Sequence, residues 1–293
     1  LTQDHLDYHP DMAAYLAAKM RLFDTLLPPG APAIVNVDGD YAKDTMAAIK
    51  AAGHTPLTVG TGGDFIRLAR HEMQGFAQSV SIVHDGRRHD LAIPLIGTFQ
   101  IENALVAAAL VIATGGDPAR VFAALEKLSG VSGRLERVGE VAGGLCVVDY
   151  AHKPDALAHA LDALRPFARG RLICIFGCGG DRDPGKRPIM GRVARERADH
   201  VIVTDDNPRS EDSAAIRAAI LTEAPDAQEI GDRAEAIRAG VAMLGEGDVL
   251  VVAGKGHETG QIIGEQVLPF SDQETIRQAI AAREATATRP SRS

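Results

Sequence analysis

The run LICIFGCGGDRDPGKRP, residues 172–188, decides how this chain folds. Its first five residues are uninterruptedly apolar, which suits a strand covered on both faces. Gly177, Gly179 and Gly180 then turn the chain, and the turn gathers two carboxylates, Asp181 and Asp183, and three cations, Arg182, Lys186 and Arg187. The pattern recurs on either side. An apolar run at 145–149 leads into YAHKP, one at 200–204 into DDNPR at 205–209, and one at 249–253 into GKGHE at 254–258. Helix-like spans near 155–164, 190–197, 213–220 and 233–244 alternate with these runs. Apolar strands alternating with helices predict an α/β fold with a mostly parallel sheet, whose ligands sit at the carboxyl ends of the strands.

Toward the front, residues 12–26 are Ala-rich with helical spacing and are stopped by Pro28-Pro29-Gly30. A strand is expected at 33–37, a helix at 41–52, and strand-like pieces at 55–59, 65–73 and 79–84, the last entering a turn at Asp85-Gly86. Helices follow at 103–114 and 119–128. The small, turn-prone segment 129–133 is the expected domain boundary, giving domains 1–133 and 134–293, and residues 285–293 are expected to fray. A length of 293 residues suits about two domains.

The net charge of -8, with no basic cluster, argues against a nucleic-acid surface. No apolar run reaches the ~18 residues of a membrane span. Three cysteines, Cys146, Cys174 and Cys178, are too few and oddly numbered for a disulfide framework, and a reducing cytoplasm fits them.

Three polar loops at one sheet edge would make a pocket with arginine on some walls and carboxylates on others. That arrangement suits a zwitterion, since guanidinium holds carboxylate and carboxylate holds ammonium. Any one of these loops alone reads as well as capping and turn chemistry. The glycines at 177–180 do not fit the dinucleotide pattern G-x-G-x-x-G. At the start, DHLDYH at 4–9 crowds histidines and carboxylates, and Lys19 follows; His5 is a candidate metal ligand, although a lone histidine is more often structural. Asp149 closes a strand just before His152, and Arg134 lies just past the linker.

Together these segments resemble the Mur ligase family along essentially the whole chain. The resemblance implies the later part of a P-loop-type central ATPase domain followed by a Rossmann-like carboxyl-terminal domain. LTQDHLDYH with AAYLAAK looks like the family's magnesium segment, in which His5 would bind Mg²⁺ and Lys19 would be carbamylated, turning a cation into an anion that can support the metal. GTFQIENALVAAAL is similar to the family's adenine-contacting segment and supplies Asn103, with Gln100 standing where another asparagine is usual. Arg134, Asp149 and His152 match the groups that meet ATP, while Lys153 stands where many members have threonine. DNPR at 206–209 looks like the signature of the branch that adds meso-diaminopimelate rather than L-lysine. Arg182, Asp206, Asn207, Arg209, Gly254 and Glu258 match that branch's amino-acid contacts.

The implied chemistry is ATP-driven amide synthesis on UDP-MurNAc-L-Ala-D-Glu through an acyl phosphate, by a cytoplasmic monomer. No G-x-x-G-K-[ST] phosphate loop is present, so the chain reads as a fragment that should be inactive alone. Two alternatives remain: a free-standing amino-acid-binding or regulatory module, and a related ligase of the L-lysine-adding or folylpolyglutamate type.

Overall fold

The structure is a computed structural model that describes residues 11–74 and 77–287. It divides into two compact units, Leu1–Leu128 and Ser129–Ser293.

The first unit opens with α1, Met12–Arg21, capped by the Asp11 carboxylate, which accepts from the Ala14 amide at 2.8 Å. The helix widens into one π-helical turn, Leu22–Leu26, before Pro28 and Pro29 end it. There follow β1 (Ala33–Asn36), α2 (Ala42–Ala51), β2 (Pro56–Gly60), β3 (Ile66–Gln74), β4 (Ala77–His84), β5 (Arg87–Ile93), α3 (Thr98–Ala113) and α4 (Pro118–Leu125). The strands form one sheet in sequence order, parallel from β1 to β3 and antiparallel from β3 to β5. Asp85 and Gly86 close the β4–β5 hairpin at φ 49° and 71°, the left-handed pair that a tight two-residue turn demands. Ile66, Ile82, Ile93, Ile101 and Leu105 are fully buried and join Phe122 in the core between sheet and helices.

The second unit comprises β6 (Glu136–Val141), β7 (Gly144–Asp149), α5 (Pro154–Leu164), a 3-10 turn (Arg165–Phe167), β8 (Leu172–Phe176), α6 (Lys186–Arg197), β9 (His200–Val203), α7 (Ser213–Leu221), β10 (Gln228–Glu229), α8 (Arg233–Met243), β11 (Val249–Ala253), a hairpin of β12 (Gly260–Ile263) and β13 (Gln266–Pro269), and α9 (Asp272–Ala287). Its sheet runs β10-β9-β8-β11-β7-β6 and is parallel except for the β6 edge. Every residue of β7, β8 and β11 is buried, as the apolar sequences of β8, β11 and all of β7 before its terminal Asp149 require.

Where sequence and structure differ, the cause is local. Helix α6 begins at Lys186, four residues before the expected Met190. Pro188 is its third residue, and the first helical N–H groups have no partner to lose. Helix α3 likewise starts at Thr98, earlier than Asn103. Strands β5, β6, β10, β12 and β13 have no counterpart in the sequence-based expectation: they are edge or hairpin strands, polar or exposed along much of their length. The final helix α9 is likewise absent from the sequence-based expectation and continues to Ala287, the third residue of the tail expected to fray. No described helix is long and apolar enough to cross a membrane.

Candidate functional site

The carboxyl ends of β8, β9 and β11, which are neighbours in the sheet, release three loops that face one another across a cleft of about 620 Å³. Arg182, Asp206, Asn207, Arg209, Gly254, Glu258 and His152 all line it. Two glycines make the loops fit. A Cβ on Gly180 would stand 1.9 Å from the Pro208 carbonyl oxygen, so the first two loops touch backbone to backbone only without a side chain there. Gly254 has φ +116°, and a Cβ there would come within 2.5 Å of Asp206 Oδ2.

Arg209 sits in the left-handed region, φ 53°, and its backbone is hydrogen-bonded to β12: its amide donates to the Ile262 carbonyl at 3.1 Å, and Gly264 donates to its own carbonyl at 2.7 Å. Its guanidinium Nη1 donates to the carbonyls of Gly180 (2.8 Å) and Asn207 (3.3 Å), which aims the remaining N–H groups. Arg182 is exposed at the cleft rim and, among the described residues, donates only to the Asp181 carbonyl. Asp181 receives the Ser210 amide and hydroxyl, and Glu211 receives the buried Arg187 guanidinium, so the first and second loops are tied twice more.

Opposite charge lies deeper. Asp206 is buried, and burial pushes its carboxyl up, against the influence of Arg233 and Lys255. Burial likewise opposes ionisation of Glu258, but the hydrogen bond from Asn207 Nδ2 at 2.9 Å and the charges of Lys255 and Arg209 hold it below the usual range. Asn207 is braced by the protein on both sides of its amide: its Oδ1 accepts from Lys255 Nζ at 2.8 Å and from the Ile262 amide at 2.9 Å, while its Nδ2 donates to Glu258. Beneath, Arg233 and Asp272 form a fully buried bidentate pair at 2.7 and 2.8 Å, and Arg233 also donates to the carbonyls of Asp205 and Ala253.

Beside the cleft, Asp149 is buried and accepts the amides of Leu135 and Ala151, each at 2.8 Å. Burial raises its pKa, and those amides and Arg134 oppose the rise. The Arg134 guanidinium lies 5.1 Å from the centre of the Tyr150 ring, which packs against His152 and His257. His152 Nδ1 is 2.9 Å from the Tyr150 carbonyl, which can only accept, so that nitrogen carries the proton.

In the first unit, Asn103 is exposed on α3 and Lys19 is exposed on α1, with its Nζ 5.5 Å from the centre of the Tyr15 ring. His5 lies outside the described residues. Among the described residues no three His, Cys, Asp or Glu side chains gather as a metal site. The three cysteines are buried, and burial pushes each thiol up to about 12, which leaves them inert. Lys255, Arg233 and Gln261 brace the site without a signal in the sequence: Lys255 lies within GKGHE at 254–258, but nothing in a lone lysine between glycines says that it is buried.

The chain matches two family models: "Mur ligase middle domain" over residues 1–111 and "Mur ligase, glutamate ligase domain" over residues 133–256. It is 58% identical over 287 residues to a protein of Bradyrhizobium diazoefficiens named UDP-N-acetylmuramoyl-L-alanyl-D-glutamate--2,6-diaminopimelate ligase, covering 97% of this chain and 59% of that protein. A protein of the same name from Caulobacter vibrioides is 55% identical, with 95% and 58% covered. The chain thus spans about three fifths of the curated relatives it matches. A solved structure bearing that ligase's name aligns with TM-score 0.74 at 34% identity, over 97% of this chain and 59% of that one. A folylpolyglutamate synthase of Mycobacterium tuberculosis, at 21% identity and TM-score 0.63, shares the fold.

Proposed function

The chain belongs to the Mur ligase family, and from that premise we propose that it is the central and carboxyl-terminal part of a ligase that adds meso-2,6-diaminopimelate to UDP-MurNAc-L-Ala-D-Glu. In this reading residues 1–133 belong to the ATP-binding domain and 134–293 form the amino-acid domain of a monomeric, cytoplasmic enzyme of peptidoglycan precursor synthesis. The observation that carries it is the cleft in which Arg209 confronts the buried Asp206, a cation and an anion arranged for a zwitterion.

The reaction divides into two steps. The D-glutamyl carboxylate attacks the γ-phosphorus of ATP and releases ADP, and the amine of diaminopimelate then attacks the acyl phosphate and displaces phosphate. Arg209 and Arg182 hold substrate carboxylate, Asp206 and Glu258 hold ammonium, Asn207 fixes Glu258, and Gly254 leaves room for Asp206. Diaminopimelate has a carboxylate that L-lysine lacks, so a site built on Arg209 would leave that guanidinium unpaired with lysine. Asn103 contacts adenine, Asp149 the ribose, and Arg134 and His152 the phosphates. Mg²⁺ would offset phosphoryl charge in such a reaction, with His5 and a carbamylated Lys19 as its holders. The described residues do not by themselves make a donor set for it.

Calorimetry of the chain with meso-diaminopimelate and L-lysine tests the proposal. The expected result is diaminopimelate binding at least about tenfold tighter than lysine, with the preference abolished by Arg209→Ala. Equal or absent binding of the two overturns the assignment.

A further inference from the structure

Between Gly254 and Glu258 the chain carries a lysine, Lys255, that does not line the cleft. The Lys255 side chain is fully buried, a placement lysine rarely adopts unless paired. Its Nζ donates to Asn207 Oδ1 at 2.8 Å and Glu258 Oε2 at 3.2 Å, and lies 4.0 Å from Asp206 Oδ1. These contacts leave acceptors free on the cleft side. Among the described residues no donor comes within hydrogen-bond distance of either Asp206 carboxylate oxygen or of Glu258 Oε1.

Asp206 and Glu258 contribute one negative charge each and Lys255 one positive, while the neighbouring Arg233 is neutralised by Asp272. Among these three groups one net negative charge remains, which suits one ammonium, and the lining arginines Arg182 and Arg209 are left for carboxylate. Were the lysine neutral, two close carboxylates would compete, and one would take up a proton and become a donor where an acceptor is needed.

We propose that Lys255 is a positioning residue for the amino-acid substrate: without touching it, Lys255 locks Asn207 and Glu258 and leaves Asp206 with Glu258 Oε1 as a singly charged seat for one ammonium. The inference rests on the reading of the cleft as an amino-acid site. Lys255 opposes the burial that raises the Asp206 carboxyl, and with Asn207 and Arg209 it holds Glu258 down. Removing its charge therefore lets both carboxyls take up protons at higher pH, and affinity for an ammonium is lost earlier on acidification.

Two measurements on the full chain separate this inference from the reading beneath it. Carboxyl-carbon NMR of the ligand-free chain follows Glu258 and Asp206 directly, and in Lys255→Met their titration moves to higher pH. Calorimetry with meso-diaminopimelate gives a loss in Lys255→Met of about tenfold at pH about 6 that narrows by pH about 8.5. Unmoved carboxyl titrations, or a loss equal at both pH values, overturn the role of Lys255. If the unsubstituted chain binds no diaminopimelate, the amino-acid reading falls and the positioning role with it, while the NMR still shows whether Lys255 sets the two carboxyls. Lys255→Gln, which keeps a donor but no charge, is read in the same way if the Met variant does not fold; failure of both to fold makes Lys255 a folding residue and also overturns the proposal.

Discussion

Asp272 has no exposed surface, and both of its carboxylate oxygens meet the equally buried Arg233. That guanidinium also holds the carbonyls of Asp205 and Ala253, at the ends of the two loops that carry Asp206 and Gly254. Asp272→Ala would leave a buried cation without its partner, and the expected loss is about 3–5 kcal/mol of stability, read by urea denaturation. Removing both charges as Arg233→Met with Asp272→Leu should cost much less than the single change. At this scale the sequence was legible where charged residues cluster behind an apolar run, as Asp206 to Arg209 do. It was silent on Arg233, whose local neighbourhood reads as an ordinary helix start and whose partner lies 39 residues away.

The loops behave as one element because backbone meets backbone. Gly180 lies against the Pro208 carbonyl, and a methyl group there must push apart the loop that aims Arg209. Gly180→Ala is expected to weaken diaminopimelate binding at least about tenfold by calorimetry. Gly185→Ala, whose Cβ would meet only the Asp183 side chain at 3.1 Å, should bind nearly as the parent does. The glycines around residue 180 were visible from the start, but a one-dimensional pattern cannot show which other loop they approach. The same limit explains the missed hairpin β12–β13. All of β13 is exposed and β12 has no buried residue, so neither strand carries the hydrophobic signature that revealed β8 and β11.

Each unit has its own buried cluster, one around Ile82 and Leu105 and another around Ile175, Ile237 and Leu250. Every residue lining the cleft lies between Tyr150 and Glu258, inside the second unit. Residues 129–293 alone should therefore fold cooperatively and bind diaminopimelate with the affinity of the full chain, as melting and calorimetry would show. Loss of binding in a folded fragment would mean that the first unit contributes to the cleft. The α/β class was legible at this scale because strands buried on both faces leave no polar alternation to blur them.

The attachment of Arg209 to β12 through main-chain hydrogen bonds sets limits on how this cleft can diversify over evolutionary time. Those bonds ignore the identity of the side chain, so an exchange at 209 keeps the main-chain tie to β12 and gives up only the guanidinium's bonds to the Gly180 and Asn207 carbonyls. Its left-handed φ of 53° is the filter: asparagine or glycine enters at little strain, whereas valine or isoleucine does not. Descendants of such a site would then change amino-acid preference by short polar replacements at one position, with the main-chain tie to β12 kept.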